Sequence, residues 1–401
     1  MADTSLSDSA PIEACLARVP LLDMGLRPFF LGAALWAILP MLLWLPYWMG
    51  VIDLPTAFAP LDWHVHEMLF GYASAALAGF LLTAVPSWTG EPPVRGGALL
   101  GLAAVWLLGR ITVLTSEMLS PLVAAVIDVS FPLLLALWTA KACLSAGKKK
   151  NLVVALLVLL LAVASALHHA APLGLGDLSE QARALALGIF ALMIGLVGGR
   201  VTPNFTRNWL KSRNMIPLPP EFGRVDKGAM ALLAATVAAW VLLPSDNAVT
   251  GLLALAAGIL HLIRLSRWRG LATLSDPLMA VLHLGYLWLP IGLLLLGAAQ
   301  LGWVPAAAAS HALGGGAFAI MILGVMSRAT LGHTGRPLKV GLGTMIMYAL
   351  ALASVILRVL AALIPELGIP VLHGAAGLWI LAHLFFLAIY GPMLLKPRVD
   401  L

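Results

Sequence analysis

The chain has 401 residues, of which 61% are hydrophobic and only 10% are charged. Typical soluble domains carry about 25% charged residues, so this composition excludes an ordinary soluble protein. The formal net charge is +6, and the chain contains only two cysteines, which predict neither a disulfide framework nor a cysteine-based metal site.

Runs of about 18 or more apolar residues predict membrane-spanning helices. We find twelve such runs, near residues 28–50, 64–86, 97–115, 120–142, 151–169, 182–201, 228–244, 248–265, 278–299, 306–327, 341–364 and 371–395. The predicted fold is therefore an all-α polytopic membrane protein. A single integral membrane domain covers 1–401, with a cytoplasmic lead over 1–27, the helices within 28–395 and a cytoplasmic tail over 396–401. The longest predicted loop covers about 202–227.

The distribution of positive charge predicts the orientation, because cytoplasmic loops carry an excess of Lys and Arg. All 24 of these residues except Arg110, Arg183 and Arg358 lie in or beside the two termini and the even-numbered loops. We therefore expect both termini on the cytoplasmic side. This role in topology accounts for the basic loops, so no nucleic-acid partner is expected.

An internal repeat is indicated by a gapless alignment of the second and tenth spans at an offset of 245 residues. It pairs His66 with His311, Gly71 with Gly316 and Thr89 with Thr334. The sixth span aligns with the second at an offset of 117, where His66 meets Arg183. These matches predict three pseudo-symmetric units of four helices. The alternative explanation is that small residues recur wherever helices pack closely.

The ten histidines are the main candidates for chemistry, because a polar ring within a bilayer is costly and usually functional. In the outer layer, the repeat pairs His66 with His311 at equal depth, where they could hold one haem by its two axial positions. His64 projects from another side of its helix and could serve a second metal. Glu67 would then be a further ligand, an orienting partner or a proton carrier. We interpret His168, His169 and His373 as solvated histidines at the outer interface.

In the inner layer, His283 is the best embedded histidine, and His333 is predicted in a loop. A second haem, a copper ion or a quinol head group could bind there. Four arginines lie at the inner ends of the sixth and tenth spans: Arg200, Arg207, Arg328 and Arg336. They would suit haem propionates, although anchoring of the spans is the simpler explanation.

Several segments resemble the NnrS family, bacterial inner-membrane proteins associated with haem, copper and nitric oxide. They are Arg27-Pro28-Phe29-Phe30, Trp63-His64-Val65-His66-Glu67-Met68, the stretch 199–209, His283-Leu284-Gly285-Tyr286 and the stretch 324–337. The resemblance implies haem b, in one or two copies, possible copper, and a role in relieving nitric oxide stress. By motif match it implies functional roles for His64, His66, Glu67, His283, His311 and His333. Second choices outside these segments are His261, His373 and His383.

The arrangement is also similar to the catalytic subunit of haem–copper oxidases and nitric oxide reductases. That likeness reaches only His66 and His311, and the adjacent histidine pair expected on the seventh span is missing. It is a likeness of architecture, which is a weak basis for assigning chemistry.

Our functional hypothesis is a membrane metalloprotein that contains haem, with copper as a further candidate, and that binds nitric oxide and reduces it to nitrous oxide. Electrons would come from quinol or another membrane donor, with Glu67 and His64 as catalytic residues. The alternatives are a non-catalytic nitric oxide sensor or protection protein and, from a different class, a transporter. Few charges lie at mid-depth in the spans, which disfavours the transporter.

Overall fold

The computed structural model describes residues 19–399, so Cys15, most of the predicted lead and the last two residues of the tail lie outside the described residues. Within that range the protein is helical without strands. Twelve helices there are long and apolar enough to cross a membrane, which confirms the predicted fold class. They are α1 (Leu26–Trp48), α2 (Pro60–Thr89), α3 (Gly96–Leu114), α4 (Pro121–Ser145), α5 (Lys149–His168), α6 (Ser179–Lys211), α7 (Arg224–Leu242), α8 (Ala248–Ser266), α9 (Pro277–Gln300), α10 (Ala306–His333), α11 (Leu342–Leu363) and α12 (Pro365–Leu395).

The helix ends follow local chemistry. Four helices begin with proline, whose fixed φ suits the first turn and whose missing N–H is not needed there: α2, α4, α9 and α12. Ser120 and Asp276 cap α4 and α9 by accepting hydrogen bonds from backbone N–H groups of the first turn. Gly90 ends α2 at φ +81°, a left-handed conformation that favours glycine.

The chain forms two compact units. Of the described residues, unit 1 contains 19–177, together with Arg328–Pro337 and 387–399. It therefore holds α1 to α5 and the last turns of α10 and α12. Small residues bring its helices close, since a Cβ at Gly79 would lie 2.7 Å from the ring of Phe30. Arg27 connects the start of α1 to the end of α12 by donating to the carbonyl oxygens of Leu394 and Lys396 at 2.9 and 2.6 Å.

Unit 2 contains Leu178–Ser327 and Leu338–Phe386. It holds α6 to α9, α11 and most of α10 and α12. Helices α8 and α9 approach through glycines on both sides. A Cβ at Gly297 would lie 2.9 Å from the carbonyl oxygen of Gly251, and one at Gly258 would lie 3.1 Å from that of Pro290. Such close backbone packing is how helices associate where lipid removes the hydrophobic driving force.

Three helices contain a π-helical segment: α2 at Glu67–Ala73, α6 at Ile194–Gly198 and α10 at Ala312–Ala319. These are the helices that the repeat aligns. The offset of 245 pairs Glu67 with Ala312, so the segments of α2 and α10 begin at equivalent positions, whereas the segment of α6 lies further along its helix. The division into three four-helix units stays a prediction. π-helical segments occur often at functional sites, and here one begins directly after His66.

Helix α6 extends further than its apolar run predicts. The expected loop began at residue 202, but the helix continues to Lys211 and buries Thr202, Thr206 and Leu210 along one face. Pro203 lies inside this extension and cannot donate to the carbonyl oxygen of Gly199, four residues earlier. Arg264 of α8 donates to that oxygen instead, at 3.2 Å, so the proline leaves no buried acceptor unsatisfied.

Candidate metal centre

Unit 1 contains a group of buried polar residues that we call the carboxylate–histidine cluster, formed by His66, Glu67, Arg110, Asp128 and His169. Its members come from α2, α3, α4 and the residue that follows α5. None of the five is more than 2% exposed. Buried polar groups at this density are costly unless they are paired, so their contacts define what the cluster can do.

The ring of His66 lies between two carboxylates. Its Nδ1 is 3.0 Å from Glu67 Oε1, and its Nε2 is 3.1 Å from Asp128 Oδ2. The Glu67 contact lets Nδ1 carry the proton and leaves Nε2 directed at Asp128. A histidine held in this way by a carboxylate has the orientation typical of metal-binding histidines.

Arg110 connects the two carboxylates. Its Nη1 donates to Glu67 Oε1 and Oε2 at 3.0 and 3.1 Å, and its Nη2 forms an ion pair with Asp128 Oδ1. Gly109 permits the approach of α4, because a Cβ there would lie 3.2 Å from the Cα of Asp128. With neutral imidazoles, two carboxylates face one guanidinium, which leaves a single negative charge in the cluster.

Three ligand atoms converge within the cluster. One atom from each of His66, Asp128 and His169 lies within 4.8 Å of the other two, close enough to hold one metal ion. His169 Nε2 is 3.1 Å from Asp128 Oδ2, the same oxygen that faces His66 Nε2. His169 is 1% exposed, and its imidazole must be neutral to ligate a metal ion.

Neighbouring side chains fix the cluster and separate it from water. Ser165 donates to Asp128 Oδ2 at 2.6 Å, and the indole N–H of Trp36 donates to Glu67 Oε2. The ring of Phe58 lies 5.1 Å from that of His66 and 5.2 Å from that of His169. An apolar wall of this kind lowers the local dielectric constant and strengthens the ion pairs inside.

The structure brings together only part of the predicted outer site. His66 and Glu67 belong to the cluster, whereas the ring of His64 stacks on Trp44 with centroids 4.0 Å apart. His311 belongs to unit 2, where its Nδ1 lies 2.7 Å from the carbonyl oxygen of Ala307. Shared haem ligation by His66 and His311 therefore stays a prediction.

Unit 2 contains a second buried polar group, the arginine cluster, formed by Asp226, His261, Arg264 and Tyr286. Arg264 is fully buried, and its Nε donates to Asp226 Oδ1 at 2.8 Å. Its Nη1 donates to Tyr286 Oη at 2.9 Å, and that oxygen is 2.8 Å from His261 Nδ1. The partly exposed Arg267 also pairs with Asp226, at 3.5 Å from Oδ2, so the carboxylate is fully compensated, as is typical of a structural ion pair.

The predicted inner residues have separate surroundings. His283 Nε2 is 2.9 Å from Thr206 Oγ1, whereas its buried Nδ1 has no hydrogen-bond partner. That nitrogen lies close to Gly270, where a Cβ would come within 2.6 Å. His333 is half-buried at the end of α10 in unit 1, and Arg328 is half-buried one turn earlier. Arg200 is exposed, with its guanidinium 5.9 Å from the ring centroid of Phe222.

The sequence-based interpretation missed three members of the cluster. His168 and His169 are not solvated, as we expected, but 1% exposed, and only His373 of that group is exposed. Asp128 and Arg110 gave a usable signal, because an ionisable residue inside an apolar span is functional by default. Their pairing depends on how α2, α3 and α4 pack, which spacing within one helix does not reveal.

The comparisons with known proteins agree with the resemblance noted from the motifs. The sequence profile of the NnrS protein family matches residues 20–398, which is nearly the whole chain. The chain matches none of the curated proteins with which it was compared. A match of this extent shows that the chain belongs to the NnrS family, membrane proteins linked to the nitric oxide response.

Proposed function

We propose that the protein binds nitric oxide at a metal centre among its membrane helices and removes it by reduction to nitrous oxide. The carboxylate–histidine cluster carries this proposal, since it gathers metal-binding side chains that are otherwise rare in membrane spans. Nitric oxide is small, neutral and lipid-soluble, so a centre enclosed by apolar side chains can receive it from the bilayer.

Reduction requires electrons and protons. Two nitric oxide molecules, two electrons and two protons give one nitrous oxide and one water. Oxidation of one quinol to quinone releases both the electrons and the protons, so a membrane quinol balances the reaction. Glu67 and His64 are the residues that we propose to act in it. The contacts of Glu67 with His66 and Arg110 support an orienting role for its carboxylate.

Haem b is the cofactor that family membership suggests, and copper is a further candidate. Haem iron would supply a one-electron redox centre, and it needs an imidazole nitrogen that is not already paired. His283 fits this need, because its Nδ1 is buried, has no hydrogen-bond partner and faces a glycine. His66 fits less well, since both of its nitrogens face carboxylates. His311, His333, Arg200 and Arg328 stay candidates for holding haem.

The test is turnover by the purified protein in lipid vesicles, under anaerobic conditions, with a reduced quinol and dissolved nitric oxide. We expect nitrous oxide in the headspace at one molecule for every two of nitric oxide consumed. His373→Ala, which changes an exposed histidine outside both clusters, should retain this activity.

The alternatives give different results in the same experiment. Binding of nitric oxide without nitrous oxide would indicate a sensor or protection protein and would contradict the proposed enzyme. A visible spectrum decides the cofactor, because a haem protein has a Soret band. Its loss in His283→Ala, with the band retained in His373→Ala, would support the assignment of His283.

A further inference from the structure

We propose that His66, Asp128 and His169 bind one non-haem first-row transition-metal ion, and that this ion is the centre that meets nitric oxide. The inference deepens the proposed function and rests on it for the identity of the small ligand. The metal site itself rests only on the geometry of unit 1.

The donor set decides the class of metal. Two imidazole nitrogens and one carboxylate oxygen suit iron(II) and copper, whereas magnesium and calcium prefer oxygen ligands throughout. Two histidines and one carboxylate also leave coordination positions open, as in non-haem iron enzymes that bind small diatomic molecules. The site can therefore hold an ion and still accept nitric oxide.

The contacts around the three ligands direct them at a common point. Glu67 accepts from Nδ1 of His66 and so presents Nε2. Arg110 pairs with Oδ1 of Asp128, and Oδ2, which also accepts from Ser165, faces the imidazoles. The Nε2 atoms of His66 and His169 both lie 3.1 Å from that Oδ2. The three atoms therefore form a ligand set that one metal ion can share.

With neutral imidazoles, the charge of the cluster also favours a cation. Glu67 and Asp128 carry two negative charges and Arg110 carries one positive charge, and all three are at most 2% exposed. A buried net negative charge is unfavourable in a low-dielectric interior. A bound metal ion supplies the missing positive charge. In the arginine cluster of unit 2, the charge of Asp226 is already compensated by Arg264, and the described residues there offer no comparable ligand set.

The experiment is a metal count on the full-length protein in detergent, loaded anaerobically with iron(II) or with copper and then freed of loosely bound ions. Wild type should retain about one ion per chain. In His169→Gln and Asp128→Asn the retained metal should fall by more than about tenfold, as expected when a ligand is removed. His168→Gln is the matched control, because His168 is adjacent and equally buried but contacts the carbonyl oxygen of Asp62 instead. The metal is identified as the one, iron(II) or copper, that wild type retains and His169→Gln does not.

Retention of the ion by a monodisperse His169→Gln variant would overturn the site, as would equal loss from His168→Gln. If Asp128→Asn does not fold, Ser165→Ala is used in its place, since it removes one hydrogen bond from the same carboxylate and should weaken metal binding. Loss of the ion with nitric oxide removal unchanged would overturn this inference and leave the proposed function standing. If the ion binds as predicted but nitric oxide is not removed, the proposed function is overturned and the metal site remains.

Discussion

Glu67 contacts the imidazole of His66 and the guanidinium of Arg110, so its carboxylate both orients a proposed ligand and shares in the charge of the cluster. We expect Glu67→Gln to weaken metal binding by about 10- to 100-fold, the usual effect of losing such an orienting carboxylate. A metal titration with a competing chelator measures this change. Glu117→Gln makes the same substitution at an exposed position and should leave the metal affinity unaltered. Equal metal affinities in wild type, Glu67→Gln and Glu117→Gln would contradict the orienting role.

Arg264 depends on Asp226 for its charge partner in unit 2, and its side chain is completely buried. Removal of one member of a buried ion pair costs about 3–5 kcal/mol, because the other charge is left uncompensated. We therefore expect Asp226→Ala to lower the free energy of unfolding by that amount, measured by detergent-induced unfolding. Asp53→Ala changes an exposed aspartate and serves as the control.

The same pair allows a sharper comparison. In the double variant Arg264→Met with Asp226→Leu, both charges are absent, and most of the lost stability should return. A double variant as unstable as Asp226→Ala would mean that the hydrogen bonds of Arg264 to the carbonyl oxygens of Gly195 and Gly199 matter more than the ion pair.

At the residue scale, the sequence predicted the histidine and the glutamate that occur together in one recognisable string. His66 and Glu67 are adjacent, so a local motif identifies them. Asp128, Arg110 and His169 come from three other elements, and their convergence depends on the packing of α3, α4 and α5. A rule that tested every ionisable residue within an apolar span would have selected Asp128 and Arg110.

The π-helical segment of α2 places Gly71 against the indole of Trp36, the residue that donates to Glu67. A Cβ at Gly71 would lie 2.5 Å from Trp36 Cδ1, so Gly71→Ala must displace the ring. We expect a loss of about 1–3 kcal/mol in the free energy of unfolding, as is usual for overpacking, together with weaker metal binding. Gly101→Ala on α3 is the control, because nothing lies within 4 Å of its added Cβ. Equal stability of both variants would show that Trp36 is not fixed by this contact.

At the element scale, hydrophobic run length predicted twelve helices, and all twelve occur in residues 19–399. Run length did not predict the extension of α6 to Lys211. That extension is polar in sequence and is held by buried threonines and by Arg264. The π-helical segments were not predicted either, since one wider turn changes the register without a distinctive composition.

At the scale of the whole molecule, the positive charges of the loops predict that both termini lie in the cytoplasm. Single cysteines introduced at Lys149 and at Trp303, each in a background without Cys15 and Cys143, test this orientation. The cysteine at position 149 should react with a membrane-impermeant thiol reagent only after the membrane is opened. The cysteine at the exposed position 303 should react in intact cells. The reverse pattern would invert the topology and place the carboxylate–histidine cluster near the opposite face.

The central claim is that nitric oxide binds to a metal held by His66, Asp128 and His169. Electron paramagnetic resonance of the metal-loaded, reduced protein with nitric oxide tests it most directly. We predict the signal of a non-haem metal nitrosyl, distinct from that of a haem nitrosyl, in wild type and in His168→Gln, and its loss in His169→Gln. An undiminished non-haem signal in His169→Gln, or no such signal in metal-loaded wild type, would contradict the claim.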